Sequence, residues 1–174
     1  MVSRLPGLTM VLGGARSGKS RYAERLVMAS GLDPVYLATA EAKDDEMACR
    51  IAAHRARRGP SWRLAEEPID LPGALAREAA VGRAILVDCL TLWLTNLMVH
   101  ERAIEDEMTR LTERIDHLPG SLVLVSNEVG QGIIPTNAMA RAFVDHAGVL
   151  HQTLAARADA VTLIVAGLPQ HLKS

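Results

Sequence analysis

Five short apolar runs punctuate the chain, at residues 8–12, 35–38, 84–87, 122–125 and 161–165. Each is rich in Val, Ile or Leu, and none alternates strictly with polar residues. Continuous apolar character over four or five residues predicts strands covered on both faces, as in a parallel sheet. The longer segments between them carry helical spacing, at 19–29, 44–57 and 71–79, as a pair within 91–117, and at 136–158. Asp44 and Asp45 supply a cap and an acidic first turn for the second of these. Gly59 and Pro60 stop it, and Thr136 is placed to cap the last. Alternation of strand and helix without a linker or a repeat predicts one α/β domain over residues 1–174, a mostly parallel sheet with helices on both faces.

Between the first strand and the first helix stands Gly13-Gly14-Ala15-Arg16-Ser17-Gly18-Lys19-Ser20. This satisfies the pattern GxxxxGK followed by Ser or Thr, in the setting that gives the motif meaning. Glycines let the backbone wind closely around phosphate oxygens, and successive N–H groups at a helix N-terminus supply positive potential. Lys19 is expected to reach the β- and γ-phosphates and Ser20 to ligate Mg²⁺. The third run ends in Asp88, which places a carboxylate at a strand's C-terminal end, suited to the metal side of a bound nucleotide. Taken alone, a P-loop also accommodates a kinase of another small metabolite or a nucleotide-sensing module.

In the segment 44–58, helical spacing groups Met47, Arg50, Ile51, His54 and Arg58 on one face. Arginines beside His54 favour its neutral, nucleophilic form and can hold a polyphosphate. The residues by themselves leave two readings open: a solvated basic face, or a histidine nucleophile beside a bound triphosphate. Past the fourth run, Asn127 and Glu128 lie on the side where open α/β sheets bind ligands. They fit either substrate contact or a network that stabilises the loop. Trp93, Leu94, Leu97 and Met98 form a stripe that reads as core or subunit interface. Residues 101–113 read as a solvated helix face, and His146 and His151 as structural.

Composition narrows the picture. With 49% hydrophobic residues and only 3% aromatic, the core of this 174-residue chain must be mainly aliphatic. Lys and Arg number 19 against 20 Asp and Glu, a balance that argues against a general nucleic-acid binder. Two cysteines and the spacing of six histidines give no metal-site pattern. No run approaches the roughly 18 apolar residues of a membrane helix, so a cytoplasmic protein is expected.

Further along, more segments carry a shared signature. They are the GGARSGKS loop with Arg21, Ala23 and Glu24; Tyr36 through Ala40; Asp45, Glu46, Met47, Arg50, Ile51, His54 and Arg55; and Trp62, Arg63, Ala65, Glu66 and Glu67. Val87 through Thr91 with Trp93, Thr95 and Asn96, and the run from Val125 to Pro135, complete it. In these the chain resembles, over nearly its whole length, the bifunctional adenosylcobinamide kinase/adenosylcobinamide-phosphate guanylyltransferase family of cobalamin biosynthesis. The resemblance implies phosphorylation of adenosylcobinamide by ATP or GTP. It also implies transfer of GMP from GTP, through a covalent guanylyl-histidine, to adenosylcobinamide phosphate. His54 is the matching histidine. Thr39, Ala40 and Glu41 are implied beside the nucleotide, with Arg55, Ala56, Arg57 and Arg58, and with Glu66 and Asp88. Family members often carry Glu where this chain has Asp88, a shorter side chain with less reach. Mg²⁺ with the nucleotide, no tightly bound organic cofactor and a homotrimer are implied as well.

Overall fold

The computed structural model describes residues 5–41 and 59–174. Its elements are β1 (Leu8–Gly13), α1 (Lys19–Ala29), β2 (Asp33–Ala38), β3 (Arg63–Glu66), α2 (Leu71–Glu78), β4 (Arg83–Asp88), α3 (Leu90–Val99), α4 (Ile104–Ile115), β5 (Ser121–Asn127), α5 (Ala138–Arg157), β6 (Ala160–Val165) and β7 (Leu168–Lys173). The strands form one sheet in the order β3-β2-β4-β5-β1-β6-β7. All neighbours run parallel except β6 and β7. The predicted helix at 44–57, with its capping Asp44, lies outside the described residues.

The apolar runs are continuous because both faces of the sheet are covered. Met10, Leu12, Val35, Leu37, Ile85, Val87, Leu122 and Leu124 point to one side, where α2, α3, α4 and α5 contribute Leu75, Trp93, Leu111 and Leu154. Val11, Tyr36, Leu86, Val123, Val125 and Ile164 point to the other, against Ala23 and Val27 of α1. Side chains alternate across a strand, so each run supplies two cores at once. A fully buried Leu or Val stabilises the fold by about 1.5–3 kcal/mol. In the stripe at 93–98, Trp93, Leu94 and Leu97 are fully buried core and Met98 is half-buried; the Trp93 indole N–H donates to the Ile69 carbonyl at 2.8 Å.

Three local expectations are corrected. The sheet has two strands beyond the five expected: β7 follows β6 as an antiparallel edge strand, and β3 forms the opposite edge. The last helix is capped by Asn137, whose side chain accepts from the Ala140 N–H at 3.1 Å. Thr136 lies one residue too early, and the amide oxygen of Asn reaches the first turn as well as a hydroxyl does. Within the expected solvated face at 101–113, Glu107 is buried and takes Arg102 and Arg110 on its two oxygens, each at 2.6 Å. Charge patterning missed it because both partners lie on the same short stretch and look like surface charge.

Candidate active site

β1 delivers the chain to the C-terminal edge of the sheet at Gly13, which pairs with Asn127 on β5 and Ile164 on β6. A Cβ at Gly13 would lie 2.5 Å from Ser17 Oγ and 2.8 Å from the Ile164 carbonyl oxygen. The loop therefore needs glycine there to fold back on itself. Gly14, Ala15 and Arg16 are exposed. Ser17 N–H donates to the Gly14 carbonyl at 3.2 Å, closing a turn, and the Ser17 hydroxyl oxygen is buried without a hydrogen-bond partner among the described residues. Gly18 takes φ 94°, a left-handed conformation natural to glycine, and starts α1 without a side-chain cap. The first-turn N–H groups of α1 are thereby left to an anion. Lys19 is buried along its length and its ammonium donates to the Gly14 carbonyl at 3.1 Å. Ser20 follows it in the first turn.

Four other residues expected from sequence stand in a row along the same edge. Glu66 ends β3, Thr39 follows β2, Asp88 ends β4, and Asn127 ends β5 beside Gly13. β5 lies between the P-loop strand and the strand of Asp88. α1 packs across β1, β5 and β4, which carries Lys19 over that gap. The charges of Asp88 and Lys19 both reach the buried Cys89 thiol. Burial chiefly, then Asp88, push that thiol up to about 11, partly offset by the Thr91 hydrogen bond and Lys19. One thiol thus feels the P-loop ammonium and the β4 carboxylate together.

Several of these residues are held by protein groups. Asp88 Oδ2 accepts from the Tyr36 hydroxyl at 2.7 Å. Thr39 is fully buried; its hydroxyl donates to the Cys89 carbonyl at 2.7 Å and accepts from the Cys89 N–H at 2.9 Å. The Thr39 carbonyl accepts from Asn96 Nδ2 at 2.8 Å, and the same amide reaches the Pro68 carbonyl at 3.1 Å. Ala40 is half-buried, and Glu41 Oε1 lies 3.2 Å from His100 Nε2. Asn127 Nδ2 donates to Thr91 Oγ1 at 2.7 Å. Glu128 donates its N–H to the Gly13 carbonyl at 3.1 Å and accepts the Gly130 N–H at 2.7 Å. The Glu128 side chain thus makes a loop-stabilising contact, whereas that of Asn127 ties the end of β5 to the first turn of α3. His151 shares a 2.8 Å hydrogen bond with Ser126, and burial holds its pKa below the usual imidazole value, against a raising contribution from Glu128. His54, Arg55, Ala56, Arg57 and Arg58 lie outside the described residues.

Tyr36, Thr91 and Asn96 were not singled out as site residues from sequence. Each acts through a partner 36 to 57 positions away, a separation that local patterning does not register.

Oxygen donors predominate at this edge. A hydroxyl at Ser20 and a carboxylate at Asp88 suit a hard cation that keeps waters and substrate phosphates as its other ligands. No cluster of three or more His, Cys, Asp or Glu residues able to hold a metal occurs among the described residues. No helix among them is long and apolar enough to cross a membrane.

Comparison with known proteins adds to this geometry. The family model for cobinamide kinase / cobinamide phosphate guanyltransferase matches residues 9–172. The chain is 54% identical over 166 residues to the bifunctional adenosylcobalamin biosynthesis protein CobP of Pseudomonas aeruginosa, covering 94% of this chain and 96% of that protein. It is 41% identical over 181 residues to the bifunctional adenosylcobalamin biosynthesis protein CobU of Salmonella typhimurium, covering 95% and 99%. Among solved structures, flagellar accessory protein FlaH from Methanocaldococcus jannaschii superposes with a TM-score of 0.53 at 12% identity, covering 98% of this chain and 80% of that one. A prototypical ATPase from the type III secretion system of pathogenic bacteria gives 0.55 at 8% identity, covering 96% and 57%. Likeness at that identity is one of fold, and the fold is the P-loop NTPase type.

Proposed function

Because the chain belongs to the cobinamide kinase / cobinamide phosphate guanyltransferase family, it is a bifunctional enzyme of cobalamin biosynthesis, and we propose that its one P-loop serves both reactions. It phosphorylates adenosylcobinamide and transfers GMP from GTP to the resulting phosphate, giving adenosylcobinamide-GDP. The observation that carries the assignment of the site is the loop from Gly13 to Ser20, which presents a helix N-terminus and the Lys19 ammonium at the sheet edge that also bears Asp88.

In the kinase step the substrate hydroxyl attacks the γ-phosphorus of ATP or GTP; the bond from that phosphorus to the β,γ-bridging oxygen breaks, ADP or GDP leaves, and the hydroxyl proton is lost to solvent. Charge on the transferring group is met by Lys19 and the loop N–H groups, so catalysis rests on alignment and neutralisation. In the transferase step the His54 imidazole attacks the α-phosphorus of GTP, forming a P–N bond and releasing pyrophosphate. A phosphate oxygen of cobinamide phosphate then attacks that phosphorus, the P–N bond breaks, and His54 is returned. Arg55, Arg57 and Arg58 are suited to the nucleotide's phosphates, with Ala56 among them, while Thr39, Ala40, Glu41 and Glu66 border the site. Mg²⁺, held by Ser20 and Asp88 oxygens, would supply further neutralisation of the phosphates. The Asn127 contact with Thr91 and the Glu128 contact with Gly130 support a role in shaping the acceptor side. The protein works as one domain in the cytoplasm and as a homotrimer, without a tightly bound organic cofactor.

Intact-protein mass spectrometry after incubation with GTP and Mg²⁺ tests this reading. An acid-labile, base-stable GMP adduct is expected in the wild type and absent from His54→Ala, which retains kinase activity. Lys19→Ala should impair both reactions. Equal loss of both activities in a folded His54→Ala protein would remove the division of labour.

A further inference from the structure

β7 is an unusual strand to keep. All six of its residues are exposed, including Leu168 and Leu172, so it contributes little to either core. Polar contacts nonetheless anchor it. Lys173 Nζ donates to the carbonyls of Ala155 and Ala156, each at 3.1 Å, and His171 Nδ1 shares a 3.2 Å hydrogen bond with the buried Thr162 hydroxyl.

What this strand holds in place is the two-residue turn joining it to β6. Ala166 has φ 51° and Gly167 φ 81°, the two consecutive positive values of a type I′ hairpin. Alanine is an uncommon choice at such an angle. Strain of this kind persists only where surrounding structure fixes it, and it tends to cluster at functional sites. The turn rests on the phosphate-binding loop. Gly167 N–H donates to the Ser17 carbonyl at 2.9 Å. A Cβ on Gly18 would lie 3.5 Å from Gly167 Cα, an ordinary van der Waals separation, so the turn sits beside the loop at that residue too. On the same side, the Ile164 carbonyl limits Gly13.

We propose that Gly167 is a positioning residue for the phosphate-binding loop: the β6–β7 turn fixes the Ser17 peptide and thereby the direction of the N–H groups that receive the nucleotide's phosphates. The inference rests on the P-loop being the nucleotide site. The hydrogen bond acts on the loop, not on either acceptor or on the histidine. Displacing the turn therefore weakens triphosphate binding by the same factor in both reactions and leaves kcat at saturating nucleotide nearly unchanged.

Gly82 provides a matched control. Its φ is 86°, its Cβ position is equally open, and it precedes β4 at the opposite end of the sheet. A β-branched residue at either position suffers comparable backbone conflict. The experiment compares Gly167→Val with Gly82→Val, measuring thermal stability and the Kd of a fluorescent GTP analogue on the full chain. Gly167→Val should raise Kd about tenfold, the equivalent of one hydrogen bond, with KM for nucleotide rising alike in both reactions. Gly82→Val should lose similar stability and bind within about twofold of wild type. Gly167→Asn, which tolerates a left-handed backbone and keeps the N–H, should restore binding. Equal affinities in the two valine variants would overturn the proposal, as would a fall in kcat alone. If the valine proteins do not fold, the Gly167→Ala and Gly82→Ala pair gives the same comparison. Lys19→Ala is run alongside: if it leaves Kd unchanged, the nucleotide site has been misplaced, whereas its weakening with Gly167→Val unaffected defeats only the present inference.

Discussion

The Tyr36 hydroxyl donates to Asp88 Oδ2 at 2.7 Å across the neighbouring parallel strands β2 and β4. The Tyr36 ring is itself steadied edge-on by Trp62, with centroids 5.8 Å apart and planes at 83°. The Asp88 carboxylate is thus given a fixed direction by a phenol. Hydrogen bonds to charged groups are worth about 1.5–3 kcal/mol. Tyr36→Phe keeps the ring packing and deletes this bond. The Mg²⁺ concentration for half-maximal activity should rise roughly tenfold in both reactions, while the melting temperature changes little. An unchanged Mg²⁺ dependence would deny Asp88 its place on the metal side.

Cys89 makes stability sensitive to alkaline pH. Its thiol is raised from 9.0 to about 11 in the folded protein, chiefly by burial. Below pH 9 the thiol is protonated in both folded and unfolded chains and contributes no pH dependence. Between 9 and 11 the unfolded chain loses its proton first, so folding stability falls as pH rises, by an amount on the order of 2 kcal/mol. Denaturant titrations from pH 8 to 11 should show a shallower alkaline decline in Cys89→Ala than in wild type. Parallel declines would mean the thiol is not the group responsible.

Glu107 tests what a buried carboxylate between two arginines is worth. Its side chain is 5% exposed, but those of Arg102 and Arg110 are 48% exposed. Removing one partner of a fully buried pair costs about 3–5 kcal/mol. Here both arginines can turn to water, so Glu107→Ala should cost less, about 2 kcal/mol. That corresponds to a fall of about 4–8 °C in melting temperature. Nucleotide affinity should be unaffected, because the cluster lies on α4 and just before its start. A loss of affinity without a loss of stability would point to a role in the site.

The sequence revealed what depends on local pattern. Runs such as 84–87 are apolar because two cores compete for alternate residues of one strand, and the glycines of the P-loop declare a turn no other residues can make. The edge strands are different. RLAE at β3 and LPQHLK at β7 are largely exposed, so burial leaves no imprint on their composition, and Pro169 reads as a breaker. Ligand-facing chemistry divides the same way. Lys19 and Asp88 are candidates that motif and strand end bring forward. The hold of Tyr36 on Asp88, of Thr39 on Cys89 and of Gly167 on Ser17 arises only when distant strand ends are brought to a common edge.

The register of β1 has a consequence for how the chain acquires its activity. Leu8 is matched with Leu122, and Thr9 with Ala160. β1 therefore waits for two partners made more than a hundred residues later. Long-range parallel pairing of this kind is slow, because loop closure is completed before the contacts reward it. Nucleotide cannot be held firmly by a nascent chain that ends before β6. Binding competence is therefore expected late in synthesis, which ribosome-bound chains truncated before and after β6 and probed with a GTP analogue would check.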